Sequence, residues 1–135
     1  MATRSYVGII NPKIEGEEYQ TIRYIYVHND GSPATRLPIL IENYDTPEKV
    51  NALLDLGDLS ALYPKMDKPK GHSFKTPVDG YTIAYGRDRG ETGIKAKKAY
   101  WNDYDRQPID MDRDEYIYLF DTELKKWIYF YPEYK

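Results

Sequence analysis

The chain has 135 residues, with 19 Lys or Arg against 22 Asp or Glu, a formal charge of −3 and no cysteine. That length suits one domain burying roughly two thirds of its unfolded surface, the charge offers no overall attraction to nucleic acid, and the lack of thiols excludes disulfides and thiolate metal sites. No apolar run approaches the ~18–20 residues of a membrane span and the N-terminus lacks a signal-peptide core, so a soluble protein of a reducing cytoplasm is expected.

Arg4 to Ile10 is expected as a first strand, with Tyr6, Val7, Ile9 and Ile10 as its apolar material. The polar run from Asn11 to Gln20, with Pro12 and Gly16, fits a connection. Thr21 to His28 alternates clearly, Ile22, Tyr24 and Tyr26 on one face and Arg23, Ile25 and Val27 on the other. Asn29-Asp30-Gly31-Ser32-Pro33 ends it as a turn.

Ala34 to Tyr44 has helical spacing through Leu37, Leu40, Ile41 and Tyr44, although Pro38 predicts a start or a kink within it. The next helix has Thr46 as N-cap, Pro47 at the first position, Glu48 at the positive end of the dipole and Gly57 as terminator. Its buried stripe is Val50, Leu53 and Leu54. Asp58 to Leu62 is expected as a short helical turn.

Pro64 to Pro77 reads as a long loop, a class that is often functional or mobile. Tyr81 to Tyr85 is expected as a strand that runs into a glycine-rich loop from Gly86 to Gly93, and Ile94 to Tyr104 as a weakly striped helix. Glu115 to Asp121 and Lys126 to Tyr131 predict a terminal hairpin. The class is therefore α+β, one domain over 1–135, with a mainly antiparallel sheet of about five strands and two or three helices.

The chain carries 15 tyrosines and 3 phenylalanines. Tyrosine suits half-wet strands and binding surfaces alike. Charge is unevenly spread: Lys65 to Lys98 holds nine Lys or Arg against four acids, whereas Trp101 to Glu115 holds six acids against two Arg.

Metal and nucleophile chemistry find little footing. The two histidines, His28 and His72, stand far apart in sequence with no acid pair at ligand spacing. Ser60, His72 and Asp58 supply the residue types of a triad without a nucleophile elbow. Asp103, Asp105, Asp110, Asp112, Asp114 and Glu115 read as a solvated acidic loop, with mimicry of DNA phosphates as the alternative. Tyr100, Trp101, Tyr104 and Trp127 could stack on a base, or Trp127 could be core. The segment Gly86-Arg87-Asp88-Arg89-Gly90-Glu91-Thr92-Gly93 has more to offer. Glycines admit an anion to backbone amides and arginine forks match phosphate oxygens, but the spacing is neither a P-loop nor a dinucleotide fingerprint. The competing reading is an Arg–Asp turn paired within itself.

Several of these pieces resemble a widespread family of small phage and prophage proteins, whose motif runs Ile-Tyr-Cys-His-Trp-Asp-Gly-Tyr-Pro. The matching residues are Ile25-Tyr26-Val27-His28-Asn29-Asp30-Gly31-Ser32-Pro33, Lys49-Val50, Leu56-Gly57-Asp58-Leu59-Ser60-Ala61-Leu62 and Ala84-Tyr85-Gly86-Arg87-Asp88-Arg89-Gly90-Glu91. Val27, Asn29 and Ser32 stand where the family has cysteine, tryptophan and tyrosine.

The resemblance implies a phage product acting in a bacterial host cytoplasm. It extends to the Thoeris anti-defence sponges, which sequester a cyclic ADP-ribose type signal uncleaved. The implied activity is binding without catalysis, with no cofactor. Arg87 and Arg89 would hold phosphate, Gly86 and Gly90 permit close approach, Tyr85 or Tyr81 stack on the base, and His28 and Asp30 fix the loop. A second copy would complete the site, so a homodimer or larger homo-oligomer is expected. The alternative partner is a host defence protein gripped through a Tyr-rich or acidic surface.

Overall fold

The longest strand, β2 (Gln20–Val27), organises the molecule because its alternation presents apolar side chains to both faces. The computed structural model describes residues 2–133. β2 runs antiparallel to β1 (Ser5–Ile10) along one edge. Its other edge is shared. Gln20 to Tyr24 pair with β5 (Lys97–Asn102), and Val27 pairs in parallel with Leu59 of β3 (Leu59–Ala61). β3 is followed outward by β4 (Ile83–Ala84), and β5 by β6 (Gln107–Ile109). On the far side, β1 lies parallel to β7 (Tyr116–Asp121), which forms the terminal hairpin with β8 (Lys126–Phe130).

The described residues thus form one mixed eight-stranded sheet, with the helices α1 (Pro33–Asn43), α2 (Pro47–Leu54) and α3 (Tyr85–Arg89). The α+β class and the terminal hairpin are as expected. The sheet has more strands than expected and includes two parallel pairings, because β7 and β3 return beside β1 and β2 from far along the chain.

Each sheet face has its own core. Val7, Ile9, Ile25, Val27, Tyr118 and Phe120 meet Leu40, Val50, Leu53 and Leu54 beneath α1 and α2. The opposite face gathers Ile10, Ile22, Ala99, Trp101, Met111, Ile117 and Leu119, with no helix of the described residues over it. α2 starts as its caps predict, the Thr46 hydroxyl accepting Lys49 N–H at 3.2 Å. α1 runs through Pro38, which lies on the exposed side where water can serve the carbonyl it leaves unpaired. Arg36 on α1 is 1% exposed and donates to the Asn29 carbonyl at 2.7 Å, and burial pushes its guanidinium down to about 10.

Three local expectations are corrected. Asp58 to Leu62 is not a helical turn: β3 occupies Leu59–Ala61, and Leu59 and Ser60 accept the His28 and Asn29 N–H groups. Ile94 to Tyr104 is not helical: Lys97–Asn102 is β5, held because Ala99 and Trp101 alternate into the second core. The strand expected over Tyr81 to Tyr85 shrinks to Ile83–Ala84, and Tyr85–Arg89 turns into α3.

The turn after α2 is tightly set. Gly57 has a φ of +77°, and a Cβ there would collide with the Ile94 carbonyl, whose oxygen accepts Asp58 N–H at 2.8 Å. Gly57→Ala is expected to destabilise the protein by about 1–3 kcal/mol, read as a shift of the urea midpoint at unchanged slope.

Candidate functional site

The site is built from the Pro64–Gly80 excursion and α3, joined at one buried carboxylate. The Asp88 side chain is fully buried. Its Oδ1 accepts Arg87 Nε–H at 2.9 Å. Its Oδ2 accepts Ala84 N–H at 2.9 Å, Arg87 Nη2–H at 3.1 Å and His72 Nε2–H at 3.2 Å. Nδ1 of His72 in turn accepts Val78 N–H at 3.1 Å, which places the ring proton on Nε2. Burial alone would raise the Asp88 pKa, but the Arg87 guanidinium, the Ala84 amide and His72 outweigh it and hold the carboxyl below its ordinary value.

Arg87 completes the knot. Its Nη1 donates to the Met66 carbonyl at 2.6 Å and its Nη2 to the Thr82 carbonyl at 2.9 Å. The long loop is therefore tied by side chains to β4 and α3. With its donors engaged on Asp88, Met66 and Thr82, Arg87 serves the loop in this arrangement and leaves no fork for a phosphate. That is the Arg–Asp turn paired within itself. The backbone amides behave likewise: Gly90 N–H donates to the Gly86 carbonyl and Glu91 N–H to the Tyr85 carbonyl. Gly86 lacks a side chain because Ile94 Cδ1 would lie 2.9 Å from its Cβ, and Gly90 takes the left-handed position that ends α3.

Arg89 points the other way. Its guanidinium lies 4.2 Å from the Phe74 ring centroid and 5.0 Å from that of Tyr85. The two rings are 5.7 Å apart and tilted by 32°. Arg89 Nε–H also donates to Glu91 at 2.7 Å, and its side chain is 48% exposed. Ser73, Phe74, Lys75, Asp88 and Arg89 line an open groove of about 490 Å³. Phe74 was missed by the sequence reading; an aromatic amid a Lys-rich, Pro-rich loop was its one signal.

The other expected residues scatter. Tyr81 lies beside the His72 ring at 6.4 Å, with Lys65 Nζ 5.2 Å from its centroid. His28 Nδ1 shares a 2.7 Å hydrogen bond with the Tyr26 hydroxyl. Asp30 acts electrostatically on Arg36, in a turn where its φ is 58°. Among the described residues no hydrogen bond or ion pair joins His28 or Asp30 to Arg87 or Arg89.

The triad does not assemble, since His72 is held by Asp88 while Asp58 accepts the Tyr26 N–H at 3.0 Å. Among the described residues no group of three His, Asp or Glu converges to hold a metal. No described helix is long and apolar enough to cross a membrane. Of the candidate stacking set, Trp101 is 1% exposed and Tyr104 96% exposed, so they form no common platform. The acidic segment is partly self-paired, through Arg106 to Asp103 and Asp121 and through Asn102 to Asp105.

A second aromatic group lies on the helix-free face. Tyr6 contacts Tyr24 at 5.5 Å and Tyr26 at 6.1 Å. Burial, with Asp58, Asp110, Asp112 and Glu115 around them, raises the pKa of Tyr6 and Tyr24. Comparison with known proteins adds no relative: no family model, curated protein or solved structure matches the chain.

Proposed function

We propose that the chain is a binding protein that holds a small anionic nucleotide without turning it over, in the groove beside Phe74 and Arg89. The observation that carries this reading is the Arg89 guanidinium stacked on Phe74 and Tyr85 at the groove's edge. An aromatic pair offers a base its π-face and a stacked guanidinium offers phosphate a fork. The exposed Arg89–Glu91 pair is worth little by itself, so a phosphate can replace the Glu91 carboxylate at small cost. Lys75 adds a second cation beside the groove.

Binding is favoured over catalysis because both ring nitrogens of His72 are engaged in the loop and His28 is bonded to Tyr26. The resemblance to phage proteins supplies a setting for such a binder, sequestering a host immune signal of the cyclic ADP-ribose type. The runner-up, direct docking on a host protein, is favoured by the Tyr6–Tyr24–Tyr26 group with its acidic surroundings.

Isothermal titration with cyclic ADP-ribose, ADP-ribose and AMP tests the first reading. Arg89→Ala is expected to weaken the best of these about 10–100-fold, as loss of a charge-assisted contact of roughly 1.5–3 kcal/mol. Glu91→Gln is expected to tighten it by removing the competing carboxylate. Ligand recovered at unchanged mass would support holding over turnover. Equal binding by Arg89→Ala would remove the assignment.

A further inference from the structure

Among the described residues the sheet has three outer strands, and two of them are blunted in ways that stop further pairing. β4 is two residues long and runs at once into α3. β6 is three residues long and carries Pro108, which has no N–H to offer. β8 differs. Among the described residues it pairs with β7 alone, in an unbroken register from Lys126 to Phe130. Its interior, Trp127-Ile128-Tyr129-Phe130, contains no charge, proline or bulge. Tyr129 and Tyr131 on this margin are 41% and 61% exposed.

We infer that β8 pairs antiparallel with β8 of a second copy, about a two-fold axis at Tyr129. The segment is complementary to itself in that register. Tyr129 meets its own counterpart, and Trp127 meets the partner's Tyr131. Both extend an aromatic ladder already present, in which Tyr118 stacks on Tyr129 at 6.1 Å and Tyr131 lies 5.8 Å from Tyr116. On the other face Ile128 meets the partner's Phe130. At the two ends Lys126 comes opposite the partner's Pro132, while Glu133 beyond it stays with Arg113, whose guanidinium lies 2.9 Å from its carboxylate. A slip of two residues places the Lys126 ammonium opposite the apolar Phe130 ring, which selects the first register. A two-fold contact of this kind closes on itself and gives a dimer, not a fibre.

The groove beside β8 fits this occupant. It is lined by Ile41, Asp45, Phe120, Lys125, Lys126 and Trp127, and Ile41 on α1 is 56% exposed there. The partner's Tyr131, delivered opposite Trp127, covers that apolar wall. Pro132 then ends the paired run on each side.

Sedimentation equilibrium of the full chain, without ligand, is the test. The expected mass is twice 15.9 kDa. Tyr129→Lys puts two ammonium groups opposite each other at the axis and is expected to raise the dissociation constant about 30-fold or more, as for a central interface residue. Tyr129 is partly exposed, and unchanged circular dichroism will show that the fold survives. Hydrogen exchange supplies a second readout: amides on the outer edge of β8 should gain protection as the concentration of the unaltered protein rises. A monomer at every attainable concentration would overturn the proposal. So would a dimer that Tyr129→Lys leaves intact with β8 exchange independent of concentration.

Discussion

Asp88→Asn is expected to destabilise the protein by about 3–5 kcal/mol, the usual consequence of removing one partner from a buried ion pair. The carboxylate has no exposed surface and accepts four hydrogen bonds, two from Arg87 and one each from Ala84 and His72. An amide of the same shape keeps two acceptor positions at most and presents N–H groups to donors. Arg87, only 22% exposed, is left with a charge that no anion meets. The loss should be local first. Met66, His72 and Val78 are tied to β4 and α3 through this cluster, so limited proteolysis is expected to cut within residues 64–80 before the sheet unfolds. On the proposed function, nucleotide binding should fall with it, because Phe74 sits on that excursion, although Asp88→Asn leaves Arg89 and Tyr85 unchanged.

The same carboxylate gives a pH signature. Its pKa is depressed in the folded protein relative to the ordinary 3.8. A depressed carboxyl stabilises the fold above its unfolded pKa, and that contribution disappears as pH falls through the folded value. Loop attachment is therefore expected to weaken below about pH 4. The acid limb of protease susceptibility should flatten in Asp88→Asn, which has no such proton to take up. An unchanged acid limb in that variant would assign the transition to another group.

Trp101→Ala is expected to cost about 3–5 kcal/mol, the range for truncating a large buried aromatic. Trp101 is 1% exposed, lies 6.1 Å from Phe130 and has the Arg106 guanidinium 5.1 Å from its ring. It is the largest member of the core cluster on the face no helix covers, so little neighbouring structure can collapse into the space. β5 pairs with β2 and β6, so this side chain is the main apolar anchor of the 97–109 segment. Urea unfolding followed by fluorescence reads the effect cleanly, because Trp127 is then the remaining tryptophan. Hydrogen exchange should quicken earliest between residues 97 and 109. A shift under 1 kcal/mol, set against the large-to-small range, would show that this core contributes little.

The strands legible from sequence were those whose alternation is strong by itself. In β2, Ile22, Tyr24 and Tyr26 oppose Ile25 and Val27, and in the terminal hairpin Ile117 and Leu119 oppose Tyr118 and Phe120; both patterns reach the structure unchanged. α2 was equally readable, because Thr46 and Pro47 mark its start and Gly57 follows just after its end, each a local signal. β5 was not. Its period-two signal consists of Ala99 and Trp101 alone, after Lys97 and Lys98, and becomes a strand only because β2 offers an edge at Gln20 to Tyr24. β3 was hidden for the same reason: three residues carry no period, and their pairing comes from Val27 and Ala84.

For the candidate site, sequence determined which residue types were available: two arginines around an aspartate, glycines, and a lysine-rich loop with one phenylalanine. It also determined the class, since alternation and caps are properties of neighbouring residues. Tertiary structure alone decided the division of labour. Arg87 and Arg89 are two positions apart in one short helix, yet Arg87 turns inward to Asp88, Met66 and Thr82 while Arg89 stacks on Phe74. The reason is that a buried carboxylate must be matched by whatever cation the fold brings within reach, and the carbonyls that complete the match lie 21 and 5 residues from Arg87. Contacts made across such separations depend on where the sheet delivers each segment, and no local pattern encodes that.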